Sequence, residues 1–398
     1  MKRFSLIFLG ALAMIIAGCS KEVPRDPNEE PWVSDLSLPV PIEIGSSGFQ
    51  FETKADMIET DNLGQATLRL LAVDKTSPLS ETPTEDKSTL FVNEKAKYDK
   101  DKGKVVFDGD KTWYYPYASA HNYTFYAYHA GDQETEVLKN NNGDLYVQID
   151  LNQYQSDILW AKAEATPFNG IDGFNAKFMR AIKDDKNSND IPDGEEDGID
   201  RYPSLEFHHL TTALSFNFQT TSGDDTANEQ MASAKVKSLK LTNLPNVVQL
   251  CIAKRSTASG WKEGALKVPA NNPTYSVEMS GCADVEMADV GSVTELGTMF
   301  VMVPSNVTTI QVDMQVSVAL TSGGAENAEQ IVPVKLNLTS ADEGGFLVGS
   351  HYSYTIIMKS LEEIVVKATV DDWNDGTVGE DSSAIVDGSP SEGGLIIE

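Results

Sequence analysis

One stretch of the chain has the residue types and spacing of a calcium-binding loop. If Asp185 is counted as position one, oxygen-bearing side chains stand at positions one, three, five, nine and twelve. This is the spacing with which a calcium loop surrounds the ion. The fit is partial, because Asp190 stands where the loop needs glycine at positive φ. Two alternatives therefore stand, a calcium site or a solvated acidic loop. No cofactor is required, and calcium is the one candidate. Its ligands would be Asp185, Asn187, Asn189, Asp193 and Glu196.

The cysteine nearest the N-terminus points to lipid attachment. Two basic residues precede an apolar run that ends at Cys19 as Ile-Ala-Gly-Cys, the pattern of a bacterial lipobox. The run is too short to cross a bilayer permanently, but it suits a signal peptide over residues 1–18 that is removed during export. Acyl chains on Cys19 would anchor the mature protein to a membrane. The polar residues Ser20, Lys21 and Glu22 resemble the export tag of surface lipoproteins, which implies that the anchor lies in the outer membrane with the protein exposed at the cell surface.

The other two cysteines leave two alternatives open. Cys251 and Cys282 could form a disulfide, because disulfides persist in the compartment to which a signal peptide leads. They could equally remain two unpaired thiols, since the sequence does not give their separation in space. Their spacing does not match a Cys-x-x-Cys redox or zinc motif.

Histidines and aromatic residues are candidates for catalysis or ligand binding. The chain has 5 histidines, but it has neither a His-x-x-x-His pair on a helical pattern nor a Gly-x-Ser-x-Gly turn. We therefore expect structural histidines and no enzyme activity. The aromatic cluster from Trp113 to Tyr128 could form a platform for stacking sugars, or it could divide between core and edge packing.

Charge and length exclude some classes of function. The 398 residues include 31 Lys and Arg against 60 Asp and Glu, a formal charge of −29. Such a body repels nucleic acid and anionic membrane surfaces, so no nucleic-acid partner is expected. The length is sufficient for two ordinary domains.

The elements that must position these residues are strands. Apolar residues alternate with polar ones in many short segments, and Asn-, Gly- and Ser-rich turns separate the segments. Alternation of this kind is typical of half-buried antiparallel strands, and many of them in sequence favour β-sandwiches. The clearest segment places Ile310, Val312, Met314, Val316 and Val318 on one face.

Shifts in composition divide the chain into five parts after the signal peptide. Residues 19–39 are rich in Pro, Ser and charge, which predicts a flexible tether. An N-terminal sandwich is predicted over residues 40–182 and a C-terminal one over residues 204–375. An acidic linker of residues 183–203 separates them, and residues 376–398 form a tail with an apolar end.

Six sequence motifs follow the lipobox in order along the chain: Phe49–Ala55, Trp113–Pro116, Asp157–Ala161, Phe207–Leu210, His351–Ile356 and Asp372–Gly376. In this order they resemble the Mfa-like fimbrillin family of the Bacteroidales. The resemblance implies a type V pilin, an all-β protein with two transthyretin-like antiparallel β-sandwich domains in tandem. It also implies export as a lipoprotein, trimming by a maturation protease and polymerisation with other fimbrillin subunits, identical or different, into a fimbrium by strand exchange.

The same resemblance assigns roles to both ends of the mature chain. Residues 41–53 have the pattern of a first strand, and Lys54 and Ala55 follow at the place where the family's trypsin-like protease cuts, usually after Arg. Cutting there would release the strand and open a groove for a strand from another subunit. The candidate donor residues in the tail are Ile385, Val386, Leu395, Ile396 and Ile397.

Two functions from different classes follow from the sequence. The first is a structural or accessory subunit of a surface fimbria that supports adhesion. The second is a glycan-binding surface lipoprotein built from similar sandwiches. Oligomer ladders after proteolysis would favour the first, and retention of the intact monomer on a polysaccharide column would favour the second.

Overall fold

A computed structural model of the chain confirms the predicted all-β fold class. It describes residues 35–49, 63–75, 89–116, 121–152, 156–165, 167, 171–184, 202–220, 231–254, 260–270, 276–279, 282, 285–286, 291–304, 307–322, 325–326, 329–340, 345–358 and 364–371. The first strands are β1 (Ile44–Phe49), β2 (Leu68–Asp74), β3 (Thr89–Asp99), β4 (Lys104–Phe107), β5 (Tyr123–Ala130), β6 (Leu138–Lys139), β7 (Leu145–Asp150), β8 (Ile158–Ala163) and β9 (Ser204–His209). The later strands are β10 (Thr212–Thr220), β11 (Met231–Thr242), β12 (Val247–Ala253), β13 (Leu266–Lys267), β14 (Ser276–Glu278), β15 (Val285–Glu286), β16 (Val293–Val301), β17 (Thr309–Ser322), β18 (Ala325–Glu326), β19 (Gln330–Thr339), β20 (His351–Met358) and β21 (Ile364–Asp371).

The first sheet closes on itself. Its strand order is β1-β4-β3-β2-β5-β8-β9, and β1 also pairs with β9. The β1–β9 pair is parallel, whereas all the other neighbours in this sheet are antiparallel. An apolar core built around Phe125, Phe174 and Phe207 fills this sheet.

A small second sheet covers part of the outside of the first. Its order is β13-β12-β7-β6, so strands that lie about a hundred residues apart in the sequence pair with each other. Tyr126, Tyr128 and Leu71 from the first sheet share a buried core with Val147 and Leu250 from the small sheet.

The C-terminal half is a sandwich of two sheets. One has the order β16-β10-β20-β21, and the other is built from β14, β11 and β17, with β19 also paired to β17. A single core joins the two sheets, with Phe216 and Tyr354 from one sheet and Val236 and Val312 from the other. The β10–β20 pair is parallel, so the prediction of purely antiparallel sheets is wrong at two pairs.

The predicted boundary at residue 204 is also wrong, because β9 belongs to the first sheet. It pairs with β8 and with β1 and then continues into β10 of the C-terminal sandwich after only two residues. Strand β12, which the sequence assigned to the C-terminal sandwich, pairs with β7 instead. Alternation shows that a segment is a strand, but it does not show which strand will be its neighbour.

A buried polar cluster lies where β9 passes into β10. The Asp157 carboxylate is fully buried and accepts hydrogen bonds from the ring of His209 and from Oγ1 of Thr211, the latter at 2.8 Å. The backbone of Thr211 accepts a hydrogen bond from the Gly349 amide at 2.9 Å. The cluster therefore joins β8 and β9 of the first sheet to the loop that precedes β20.

The structure also contains a helix that the sequence analysis did not predict. Helix α1 (Ala176–Asp184) begins after Asn175, whose side-chain oxygen accepts a hydrogen bond from the Phe178 amide at 2.8 Å, the usual arrangement of an N-cap. Phe178 and Met179 face the core of the first sheet. Among the described residues, no helix has the length and apolar character needed to cross a membrane.

Candidate functional site

Strand β1 is the element that closes the first sheet. On one side it pairs antiparallel with β4, where Ile44 lies opposite Val105 and Gly45 opposite Lys104. On its other side it pairs in parallel with β9, from Gly45 opposite Ser204 onward. If β1 left, β4 and β9 would each present an unpaired edge.

The sequence of β1 is unusual for a strand with neighbours on both sides. Its middle four residues are Gly-Ser-Ser-Gly, and glycine and serine have little side chain with which to stabilise a sheet. Its pairing with β9 also shifts register between Ser46 and Gly48. Packing of these four side chains therefore contributes little to holding the strand in the sheet.

Three aliphatic side chains anchor the segment that leads into β1. Val40, Ile42 and Ile44 are 1%, 5% and 1% exposed and point into the core of the first sheet. They occupy every second position, as expected for a strand with one buried face. The described strand begins at Ile44 rather than at residue 41, and residues 50–53 of the prediction lie outside the described part. Complete burial of such a side chain contributes about 1.5–3 kcal/mol.

Backbone hydrogen bonds hold the same segment from both sides. The Ile42 amide donates to the Trp113 carbonyl at 2.8 Å, and the Tyr115 amide donates to the Val40 carbonyl at 3.0 Å. On the β9 side, the Gly45 amide donates to the carbonyl of Pro203 at 2.8 Å.

Two side chains reach the segment from other elements. Nη2 of Arg180, on α1, donates to the Leu38 carbonyl at 2.6 Å. Nζ of Lys104 lies 2.8 Å from Oε1 of Glu43, but both side chains are partly exposed, so this ion pair adds little stability.

We call the groove that holds residues 38–49 the strand seat. Its walls are β4 with residues 113–115 on one side and β9 with Pro203 on the other. Its floor is apolar and includes Val105, Leu205 and Phe207. Unpaired strand edges beside apolar pockets are what a groove needs in order to receive an added strand.

Most of the site residues predicted from the sequence lie outside the described residues. These are Cys19, Lys54, Ala55, the candidate calcium ligands Asp185, Asn187, Asn189, Asp193 and Glu196, and the candidate donor residues Ile385, Val386, Leu395, Ile396 and Ile397. Within the described part, no group of three or more His, Cys, Asp or Glu residues could hold a metal ion.

The two cysteines of the folded body are free thiols. Cys251 and Cys282 are both buried, and Cys282 belongs to the core of the C-terminal sandwich, whereas Cys251 lies on β12 of the small sheet. The disulfide alternative is not formed. Burial raises the pKa of Cys251 to about 12 and also raises the pKa of Cys282, so both thiols remain protonated and poorly reactive at neutral pH.

The aromatic cluster divides between core and surface. Tyr115, Tyr123 and Phe125 fill the inside of the first sheet, whereas Tyr126 and Tyr128 lie under the small sheet. Tyr114, by contrast, is 46% exposed.

The sequence analysis did not anticipate the contacts of Arg180, Pro203 and Asn175. The asparagine two residues after a glycine and directly before Ala176 is a helix-start signal that could have revealed α1. No local signal could have revealed that Arg180 reaches the Leu38 carbonyl, because the two residues are far apart in the chain.

A buried histidine on β5 of the first sheet predicts how stability depends on pH. His129 is 4% exposed; its Nδ1 donates to the Thr67 carbonyl at 2.9 Å and its Nε2 accepts from the Gly131 amide at 3.2 Å. Burial lowers the pKa of His129 below 6.5. The Thr67 carbonyl and nearby carboxylates raise this pKa, but by less than burial lowers it. Below about pH 6.5 the unfolded chain therefore binds this proton more readily than the folded chain, and folding stability falls as pH falls.

We expect His129→Gln to flatten this dependence. Urea unfolding at pH 7.5 and at pH 5.5 should show a smaller difference in unfolding free energy for the variant than for the parent chain. Gln148→Ala, at an exposed side chain of β7 that does not titrate, is the control and should leave the difference unchanged. Equal pH slopes for His129→Gln and the parent would contradict the prediction.

The fold and the site together define an all-β protein whose first sheet is closed by the single strand β1. Its sequence matches the fimbrillin-like family over residues 72–373, and the chain belongs to this family, as its sequence motifs predicted. No curated protein matches the chain.

Among solved structures, the chain is similar to a fimbrial protein from Bacteroides vulgatus, with 13% identity, a TM-score of 0.46, and coverage of 84% of this chain and 99% of that one. It is also similar to the fimbrial anchor protein Mfa2 from Porphyromonas gingivalis, with 11% identity, a TM-score of 0.34, and coverage of 84% and 98%. The assignment rests on the family match, which supports a structural fimbrial subunit at the cell surface.

Proposed function

We propose that this chain is a structural or accessory subunit of a type V fimbria that assembles by strand exchange. The observation that carries the proposal is the position of β1, a short Gly- and Ser-rich strand that alone completes the first sheet, followed within a few residues by Lys54. Cleavage after Lys54 frees the C-terminal end of this strand. The strand seat can then accept a strand from another subunit, as an exposed sheet edge does in β-strand addition.

The remaining steps of the proposal extend the sequence analysis. The precursor reaches the outer membrane as a lipoprotein through Cys19, and a maturation protease cuts between Lys54 and Ala55. The incoming strand is the tail of a neighbouring subunit, identical or different, with the aliphatic residues near its end as anchors. The two halves of the body are proposed to be transthyretin-like domains in tandem, supported by the sandwich of the C-terminal half.

Limited trypsin treatment of the purified chain tests this function. We expect a species that begins at Ala55 and forms oligomers whose size increases with concentration, because the freed strand can leave its seat. Truncation after Gly376 should abolish these oligomers, since it removes the donor residues. N-terminal sequencing identifies the cut and analytical ultracentrifugation measures the oligomers.

The matched control is Lys54→Gln, which removes the scissile basic residue and leaves the folded body intact. This variant should stay monomeric under the same treatment. A trimmed parent chain that remains monomeric at high concentration, or oligomers that survive the truncation, would count against the proposed function.

A further inference from the structure

Two buried polar atoms lie in the wall of the strand seat without a hydrogen-bond partner among the described residues. They are Nε1 of Trp113 and the hydroxyl of Tyr115. Tyr115 is 2% exposed, and burial raises its pKa well above the usual value, so the phenol stays protonated. A buried donor without an acceptor destabilises the state that contains it.

The strand that fills the seat in this structure cannot satisfy these atoms with its side chains. Pro41 and Tyr114 form an antiparallel bridge, which places Ile42 opposite Trp113 and Val40 opposite Tyr115. Side chains directly opposite each other in an antiparallel pair are close neighbours. Ile42 and Val40 have no hydrogen-bonding atoms, so they pair with the backbone of this wall but not with its polar side chains.

Neighbouring side chains pack against both aromatic rings. The Trp113 ring packs against Phe91 with ring centres 5.1 Å apart, and Nζ of Lys111 lies 4.0 Å from its centre. The Tyr115 ring lies edge-on to Phe125, with ring centres 6.2 Å apart, and Tyr123 flanks it at 6.5 Å. The positions of both polar atoms are therefore fixed by packing.

We propose that Trp113 and Tyr115 recognise the strand that replaces residues 38–49, and that this strand, from a second copy of the chain, carries oxygen acceptors beside its aliphatic anchors. This inference rests on the proposed function and names what the strand seat selects. The resident strand satisfies the backbone and the apolar floor of the seat, whereas the replacing strand also satisfies the two buried donors. Exchange is then favoured by hydrogen bonds that the resident strand cannot make.

The tail of the chain has the composition that this recognition needs. Ser383 and Asp387 flank its first aliphatic segment, and Glu398 directly follows the second. Each can supply an oxygen acceptor within two residues of an aliphatic anchor. The N–H of Trp113 can only donate, so its partner must be an acceptor, whereas the hydroxyl of Tyr115 can donate or accept.

Tyr115→Phe tests the hydrogen bond of the hydroxyl separately from the packing of the ring, because it removes the hydroxyl and keeps the ring. We expect the uncleaved variant to melt about 2–4 °C above the parent chain, since a buried unpaired group is lost. Oligomers of the trimmed variant should dissociate about tenfold faster than parent oligomers, since each interface between two subunits has lost one buried hydrogen bond. Differential scanning calorimetry and dilution-induced dissociation measure the two effects, and Trp113→Phe should also give faster dissociation.

Tyr354→Phe is the matched control, because Tyr354 is 1% exposed in the core of the C-terminal sandwich, away from the strand seat. It should leave the dissociation rate unchanged. A lower melting temperature for uncleaved Tyr115→Phe, or parent-like dissociation of its oligomers, would overturn this inference while the proposed function stands. A trimmed parent chain that never oligomerises would instead overturn the proposed function, and this inference with it.

Discussion

Replacing Asp157 with alanine is expected to lower the free energy of unfolding by about 3 kcal/mol or more. The Asp157 side chain has no exposed surface, and its two oxygens accept hydrogen bonds from His209 and Thr211. Alanine would leave both donors buried without their acceptor, and each such group costs about 1–3 kcal/mol. Because the cluster joins the first sheet to the C-terminal sandwich, we expect the loss to weaken the whole chain.

Urea unfolding followed by circular dichroism measures this effect. Asp172→Ala is the matched control, since this carboxylate is 56% exposed and its ion pair with Lys75 should contribute less than about 1 kcal/mol. Thr211→Val should give part of the Asp157→Ala effect, because it removes one of the two hydrogen bonds. A change of less than about 1 kcal/mol for Asp157→Ala would show that the cluster does not hold the junction together.

The strands that the sequence predicts best are those with one buried face. The five alternating apolar residues of β17 are all buried, each with 2% or less of its surface exposed. Their alternation is enough to identify the strand from the sequence, because only an extended strand with this face turned inwards places all five apolar side chains in the core. The first strand was recognised in the same way, from Ile42 and Ile44.

Pairing between distant strands could not be predicted in this way. Ser204–His209 has the same alternation whether it joins the first sheet or the C-terminal sandwich. Its place beside β1 depends on contacts about 160 residues away in the sequence, such as the hydrogen bond from Ser46 to the Leu205 carbonyl. The same limitation applies to β12 beside β7.

The candidate site was only partly visible in the sequence. The alternating pattern placed a first strand near residue 44 with a basic residue after it, because both features are local. The walls of the strand seat are not local, since they combine β4, residues 113–115 and β9. The unpaired polar atoms of Trp113 and Tyr115 became apparent only once the strands were assembled.

A reversible cross-link between β1 and β4 tests strand exchange most directly. Gly45 and Lys104 are register partners, and facing residues in an antiparallel pair lie within the Cα separation that a disulfide spans. A side chain is tolerated at position 45, because the nearest atom to an added Cβ is the Pro203 carbonyl oxygen at 3.9 Å. Cys251 and Cys282 are buried and should not compete for the new thiols.

The measurement compares oligomer formation by the trimmed Gly45→Cys, Lys104→Cys double variant before and after reduction. The oxidised protein should be cut after Lys54 and yet remain monomeric, because β1 cannot leave the strand seat. Adding dithiothreitol to the same sample should restore oligomers to the level of the two single variants. Oligomers that form equally well with the cross-link intact would contradict assembly by strand exchange.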